Sequence, residues 1–468
     1  MLPARYGLGQ LITAIYKSAG HIWAEQDVCV GPRFTKKVSE LMSIISPDAG
    51  RVATDRPSKW NKTDTVWMFG LYATAVGAGT LFLPINAGLN GPLVLILMAI
   101  LAYPLTYLPH RALSRFVLSG SSRDGDITDV VEEHFGILAG KAIMVLYLLA
   151  FFPIVLVYSI SITNALESFL INQFHVTPPP RIWLSFGVVA ALSLILRTGK
   201  ETIVAAMGVL VFPLIVFLLG ISLYLIPYWH VSAFFSGLQQ TSVSDPQLWR
   251  SLWLAVPVMV FSFSHAPIIS SFSSTQKRLY GEGAERRCAR IMRYSYMMIC
   301  VSILFFVFSC VMSLSHAEML AARDENITVL SSLANKFSNP LIAYLGPVMA
   351  ILAMSKSYLG TSLGVTEGAT SLIDGAFRTV GKKVSSSVTH KISAVLLFAV
   401  TWLVTFLNPS ALHIIETISG PLIAVILFIL PIYAIHKVPA MKKYRSITNP
   451  FVLIMGLIAL SALVYSLF

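Results

Sequence analysis

Gly70-Leu-Tyr-Ala-Thr-Ala-Val-Gly77-Ala78-Gly79-Thr80-Leu-Phe-Leu-Pro84 is an apolar stretch that does not suit one regular helix. Two glycines spaced by one, followed by a proline, are poor helix interior: glycine adds backbone freedom and proline lacks the amide hydrogen. A second stretch is interrupted at the same relative place: Phe261-Ser262-Phe263-Ser264-His265-Ala266-Pro267-Ile-Ile-Ser270-Ser271. Five long apolar segments precede it, and about 187 residues separate the two breaks. That is the layout of two five-helix repeats of opposite orientation, with discontinuous first helices at a substrate site. Unwinding frees N–H groups at the N-terminus of one half-helix and carbonyls at the C-terminus of the other. The first can hold a carboxylate and the second an ammonium group, and an α-amino acid carries both. Gly77, Ala78 and Gly79 are the candidate backbone grip in the first break, and Ser262, Ser264 and His265 stand in the second. The competing reading is that Gly-x-Gly only lets helices pack closely, as small residues do in membranes. The matched second break favours the binding site.

The rest of the chain fits that frame. Of 468 residues, 56% are hydrophobic and 12% charged, with a mean hydropathy of +0.73. A soluble domain carries about 25% charged residues, so the chain reads as an all-α polytopic membrane protein. This excludes a secreted disulfide scaffold, a nucleic-acid-binding domain and a cytosolic enzyme. Eleven segments are long enough to cross a bilayer, which takes about 20 residues: roughly 66–88, 92–114, 139–171, 182–198, 202–227, 249–272, 294–315, 340–365, 390–407, 411–435 and 448–467. Five plus five make the inverted repeat, and one helix is extra. No segment shows the alternation of a membrane barrel. Lysines and arginines in the loops after segments 2, 4, 6, 8 and 10 outnumber those in the opposite loops by 20 to 4. The bias predicts a cytoplasmic N-terminus. Residues 1–60 lack an apolar run and a signal peptide. They read as a cytoplasmic tail, disordered or arising from a start codon placed too early. Residues 61–468 form the transport domain. The four cysteines show no metal spacing, and Cys288, Cys300 and Cys310 read as small core residues.

Asp64-Thr-Val-Trp-Met-Phe-Gly-Leu-Tyr-Ala-Thr-Ala-Val-Gly-Ala-Gly-Thr-Leu-Phe-Leu-Pro-Ile85 resembles the first helix of bacterial hydroxy/aromatic amino acid permeases, most closely the serine and threonine proton symporter branch. Similarity continues in Asp126-Ile-Thr-Asp-Val-Val-Glu-Glu-His-Phe-Gly136, Phe261 to Phe272, Ala353-Met-Ser-Lys-Ser-Tyr-Leu-Gly360 and Ser419-Gly-Pro-Leu-Ile423. It covers about 61–468. The resemblance implies proton-coupled amino acid transport on the leucine-transporter fold, in a bacterial inner membrane. It also implies that helices 1, 2, 6 and 7 rock against 3, 4, 8 and 9.

Lys356 sits mid-segment between Ser355 and Ser357. A charged lysine at mid-bilayer costs at least about 2.5–3.5 kcal/mol, so it must face protein or water. In sodium-coupled relatives of the implied fold, a sodium ion lies between helices 1 and 8. A lysine amine there could replace it and make the proton the coupling ion; a fixed ion pair is the alternative. Glu416, just before Ser419-Gly420-Pro421, reads as a proton carrier, an outer gate or a solvated helix-end carboxylate. His265 reads as a substrate contact, a proton carrier or a satisfied structural group. In segment 3, Tyr158 is the candidate to close over the substrate, beside Ser159, Ser161 and Asn164; Thr74 and Ser264 could bond a substrate hydroxyl. Phe82 and Phe263 narrow the space and favour a small polar substrate.

Other motifs are read as bland. Glu132, Glu133 and His134 form a solvated connector face. Gly136 to Lys141 lacks P-loop spacing. The basic loop 273–293 is an orientation signal with anionic lipid contact as a secondary role. Asn326-Ile-Thr328 is a glycosylation sequon, irrelevant in a bacterial host. The expected activity is import of serine or threonine with a proton by alternating access. No cofactor, metal or nucleic acid is implied; the partners are an amino acid, a proton and the bilayer. An aromatic amino acid proton symporter is the alternative, and a channel a remoter one, which would need a continuous polar pore. An intramembrane enzyme would need paired catalytic groups at one depth, and His265 has no obvious partner in the sequence.

Overall fold

The computed structural model describes residues 60–122, 125–379 and 385–465, and among these it holds helices and no strand. The expected tail at 1–60 lies outside the described residues but for Trp60, as does Cys29. Two units are distinguished, Met1–Met68 and Phe69–Phe468. In the first, Asn61 and Asp64 cap a helix start reciprocally: each side-chain oxygen accepts the other's backbone N–H at 2.9 Å.

The helices are α1 (Lys62–Ala75), α2 (Ala78–Leu89), α3 (Pro92–Leu118), α4 (Ile127–Phe135), α5 (Ile137–Asn172), α6 (Arg181–Leu196), α7 (Lys200–Leu225), α8 (Val231–Gln240), α9 (Pro246–Ser262), α10 (Ala266–Tyr280), α11 (Ala284–Ser313), α12 (His316–Asp324), α13 (Val329–Lys336), α14 (Pro340–Thr379), α15 (Ser386–Leu407), α16 (Ala411–Lys437) and α17 (Thr448–Tyr465). Every apolar segment read from the sequence coincides with a helix or a pair. By length and composition, eight spans qualify among the described residues, or nine when α1 and α2, bent by 54°, count as one. The count of eleven is not reached this way. α6 has 16 residues, fewer than the about 20 of a full crossing, and the second break divides its segment between α9 and α10.

The contacts fall into two groups. α2, α3, α9, α10 and α11 pack on one another, while α5, α6, α14 and α15 pack on one another, with α5 against α14 the most extensive pairing. α7 packs on both groups, against α11 and against α14. α15 turns Val395, Leu396, Leu403 and Leu407 outward, as a helix facing hydrocarbon does. Polar connectors are fixed by caps. At α4, Asp126 Oδ1 accepts from Thr128 N at 2.7 Å and Asp129 N at 3.0 Å, and Asp129 Oδ2 accepts from Asp126 N at 3.0 Å. α16 carries π-helical turns at Ile415–Ser419 and Val425–Ile429.

Candidate functional site

The two breaks lie against each other. α1 ends at Ala75, and α2 begins at Ala78 after Gly77, whose backbone is extended (φ −158°). A Cβ built on Gly79 would sit 2.6 Å from Ser262 Cα and 3.0 Å from the Phe261 ring. Glycine at 79 is therefore what lets the start of α2 touch the end of α9. A Cβ on Gly77 would lie 2.9 Å from Ser357 Oγ and 3.1 Å from Tyr158 Oη, so α14 and α5 close over the first break.

Helix ends leave backbone groups unpaired, and here the carbonyls are met by side chains. Lys356 Nζ donates to Ala73 O. Thr80 Oγ1 donates to Ala75 O at 2.7 Å, and Ser357 Oγ to Val76 O at 3.3 Å. A lysine amine that is 2% exposed thus sits where the end of α1 presents its negative dipole. At the other side of the break, no side chain caps the N-terminus of α2. Its opening amide hydrogens point where an anion gains most.

The second break spans Phe263–His265. His265 N donates to His110 Nε2 at 2.8 Å, and His110 Nδ1 lies 2.6 Å from Thr106 O. Since Nε2 accepts from a backbone N–H, the ring proton belongs on Nδ1, where it is donated to Thr106. His110 is thereby held neutral and fixes the backbone of the break. The His110, His265 and Tyr296 rings form a buried cluster with centroids 5.1–5.3 Å apart. Both ring nitrogens of His265 and the hydroxyls of Tyr296 and Ser262 are buried without a hydrogen-bond partner. Unmet buried polar groups cost about 1–3 kcal/mol each, and here they gather at the break.

The remaining sequence-read residues divide. Gly77, Ala78, Gly79, Tyr158, Ser262 and Lys356 come together around the breaks, and Ser264 and His265 form the second break itself. Thr74 Oγ1 is taken by its own helix, donating to Leu71 O at 2.8 Å. Ser264 Oγ accepts only a long 3.5 Å contact from Ala266 N. Glu416 stands elsewhere, in the first π turn of α16, where its Oε1 accepts from Asn86 Nδ2 at 2.8 Å and ties α16 to α2. Phe82 and Phe263 are buried.

Asn164 is not beside the breaks. Its Nδ2 donates to Asn326 O (2.8 Å) and Asn408 Oδ1 (3.0 Å), and its Oδ1 accepts from Arg181 (2.7 Å). Asn326 Nδ2 donates to Asn408 Oδ1 and Pro409 O, and its Oδ1 accepts from Ala411 N at 2.9 Å. Arg181 completes the knot with Glu167 at 2.7 Å. The network locks α5 and α6 to two connectors. Asn326 is buried with its amide fully engaged, so the sequon there offers no acceptor. Near α4, Glu133 accepts from Ser121 N at 2.7 Å and His134 meets Ser119 Oγ at 2.9 Å. Glu132 and Glu133 are exposed, as the reading of a solvated amphipathic face expects, and these bonds tie that face to the end of α3.

Comparison with known proteins shows the family of the chain. The model of the tryptophan/tyrosine permease family matches residues 66–466. The serine transporter SdaC of Escherichia coli K12 is 51% identical over 416 residues, covering 88% of this chain and 97% of the relative. The inner membrane transport protein YqeG of the same strain is 43% identical, over 87% of this chain and 99% of the relative. The threonine/serine transporter TdcC of Yersinia enterocolitica is 38% identical, over 90% and 99%. With a family match across nearly the whole membrane domain and relatives covered almost end to end, this chain is a multi-pass membrane transporter belonging to the tryptophan/tyrosine permease family.

Proposed function

We propose that the chain imports L-serine, and L-threonine as a second substrate, together with a proton across a bacterial inner membrane, with its N-terminus in the cytoplasm. The observation that carries the coupling is the buried Lys356 amine donating to Ala73 O at the end of α1. Protonated, the ammonium and the carbonyl dipoles attract and hold α1 to α14. Once the proton leaves toward the cytoplasm, the charge–dipole attraction is lost and the two groups of helices can part. The uncapped start of α2 would take the substrate α-carboxylate. Carbonyls at the end of α9, near Ser262 and Ser264, would take the α-ammonium. Tyr158 would close above them, and the unpartnered Ser262 and His265 side chains are available to a substrate hydroxyl. Glu416, paired to Asn86, would gate from the outer side or relay the proton.

The relatives named as serine and threonine/serine transporters support the small hydroxylated substrate. The family's description supports a second reading, an aromatic substrate. Buried Phe82 and Phe263 argue for the smaller one. Competition in proteoliposomes separates them. Unlabelled L-serine and L-threonine should suppress uptake of labelled L-serine, and tryptophan should leave it unchanged. Suppression by tryptophan alone, with no serine accumulation, would move the assignment to the aromatic reading.

A further inference from the structure

A cavity of about 250 Å³ lies between the C-terminal turns of α3, the end of α16 and the start of α17. It is remote in sequence from both breaks and belongs to the face that carries the Lys/Arg-rich connectors. Arg111, Arg115, Lys443 and Arg445 line it, and among the described residues no acidic one does. The counter-charge nearby is one carboxylate: Glu285 takes both Arg111 (3.1 Å) and Arg115 (2.8 Å). Four cations against one carboxylate leave three positive charges around a concave space.

Thr448 and Asn449, the first residues of the 18-residue α17, also line the space, with their N–H groups taken by Ser446 Oγ at 3.4 Å and Ser446 O at 3.0 Å. The cations are also held in place. Arg115 lies 4.3 Å over the Tyr444 ring, and Arg445 donates to His436 O at 3.0 Å. Orientation of a membrane protein needs basic residues in a connector; it does not need four of them gathered on one cavity. The volume sits below the about 300–1,000 Å³ of drug-sized sites, so it suits one phosphate-sized group rather than a nucleotide. Ile435 and Val452, both buried, supply an apolar wall.

We propose that this cavity binds a phosphate group, carried by an anionic phospholipid of the adjoining leaflet or by soluble phosphate. Arginine forks backed by a lysine are the chemistry that recognises such a group. The test uses the purified full-length protein. Native mass spectrometry compares retention of phosphatidylglycerol with that of phosphatidylcholine, and thermal unfolding is followed with and without inorganic phosphate. Lys443→Gln with Arg445→Gln removes two lining cations; Lys437→Gln with Lys442→Gln removes the same charge outside the cavity. At roughly 1 kcal/mol per cation near a membrane surface, the first pair should weaken phosphatidylglycerol binding by about 10- to 30-fold and the second pair should leave it nearly unchanged. Preference for phosphatidylglycerol assigns the lipid as source. Protection by inorganic phosphate without lipid preference assigns soluble phosphate. Equal retention of both lipids with no protection by phosphate overturns the site, as does equal weakening by the two variant pairs.

Discussion

Replacing Gly79 by alanine tests whether the two breaks must touch. The new Cβ would lie 2.6 Å from Ser262 Cα and 3.0 and 3.1 Å from two atoms of the Phe261 ring. Ordinary contact begins near 3.4 Å, so α2 and α9 must separate by about 0.8 Å. The obstacle is main chain, which cannot rotate away. Overpacking of this kind costs about 1–3 kcal/mol. The helix propensity of alanine returns up to about 1 kcal/mol. A site that tolerates displacements of about 0.5 Å would be misaligned as well as strained. Gly77→Ala is the matched control. Its Cβ meets only the tips of Ser357 and Tyr158, at 2.9 and 3.1 Å, and those side chains can turn. Melting temperature in detergent and initial uptake rates over a range of L-serine concentrations are the readouts. Gly79→Ala should lower the melting temperature and reduce kcat/KM by at least about tenfold, worth about 1.4 kcal/mol. Gly77→Ala should cost less stability, with its effect concentrated in transport because Ser357 also donates to Val76 O. A Gly79→Ala protein with unchanged melting and uptake, or one more stable than Gly77→Ala, would refute the close approach of the breaks.

Three other outcomes are expected. Asn326→Ala strips several hydrogen bonds from a buried knot; at about 1–3 kcal/mol for each group left unmet, melting should fall by several degrees or more, and an unchanged melting temperature would remove the network's structural role. His110→Ala orphans the His265 N–H; apparent affinity for serine should weaken while His110→Gln, able to accept the same N–H, restores part of it, and equal effects of the two variants would contradict a backbone-fixing role. Outside the membrane, the Ser121 N–H holds the Glu133 carboxyl below the usual carboxylate range. A depressed folded-state pKa contributes stability above the unfolded value that is lost as pH falls through the folded one. Amide exchange at Ser121 should therefore accelerate relative to neighbouring amides only on strong acidification, and Glu133→Gln should remove that pH step.

The breaks were legible because their cause is local. Glycine spacing, prolines and clustered hydroxyls interrupt apolar runs, and both interruptions appear where those residues stand. Lys356 was legible for a similar reason, since one ammonium in an apolar run must find a partner. The partner itself, Ala73 O, comes from packing of α14 against the first break and has no signature in either stretch. His110 was missed although it is an ionisable residue inside an apolar run with Thr106 one turn before it; that signal was available. The knot of Asn164, Arg181, Asn326 and Asn408 had no comparable signal, because its members come from four separate parts of the chain. Asn164 therefore looked like a neighbour of the substrate when it serves the connectors. The π turn around Glu416 was likewise invisible, since it depends on how α16 fits against its neighbours and not on residue type. The count of eleven is not confirmed by length and composition alone, because a broken or short helix meets that test only in part.

Accumulation of labelled L-serine in proteoliposomes, driven by an inward proton gradient with and without sodium, tests the coupling most directly when wild type and Lys356→Met are run side by side. Wild-type accumulation should collapse with a protonophore and ignore sodium. Lys356→Met should lose accumulation but keep part of serine-for-serine exchange. Normal concentrative uptake by Lys356→Met, or accumulation that follows sodium, would contradict this coupling.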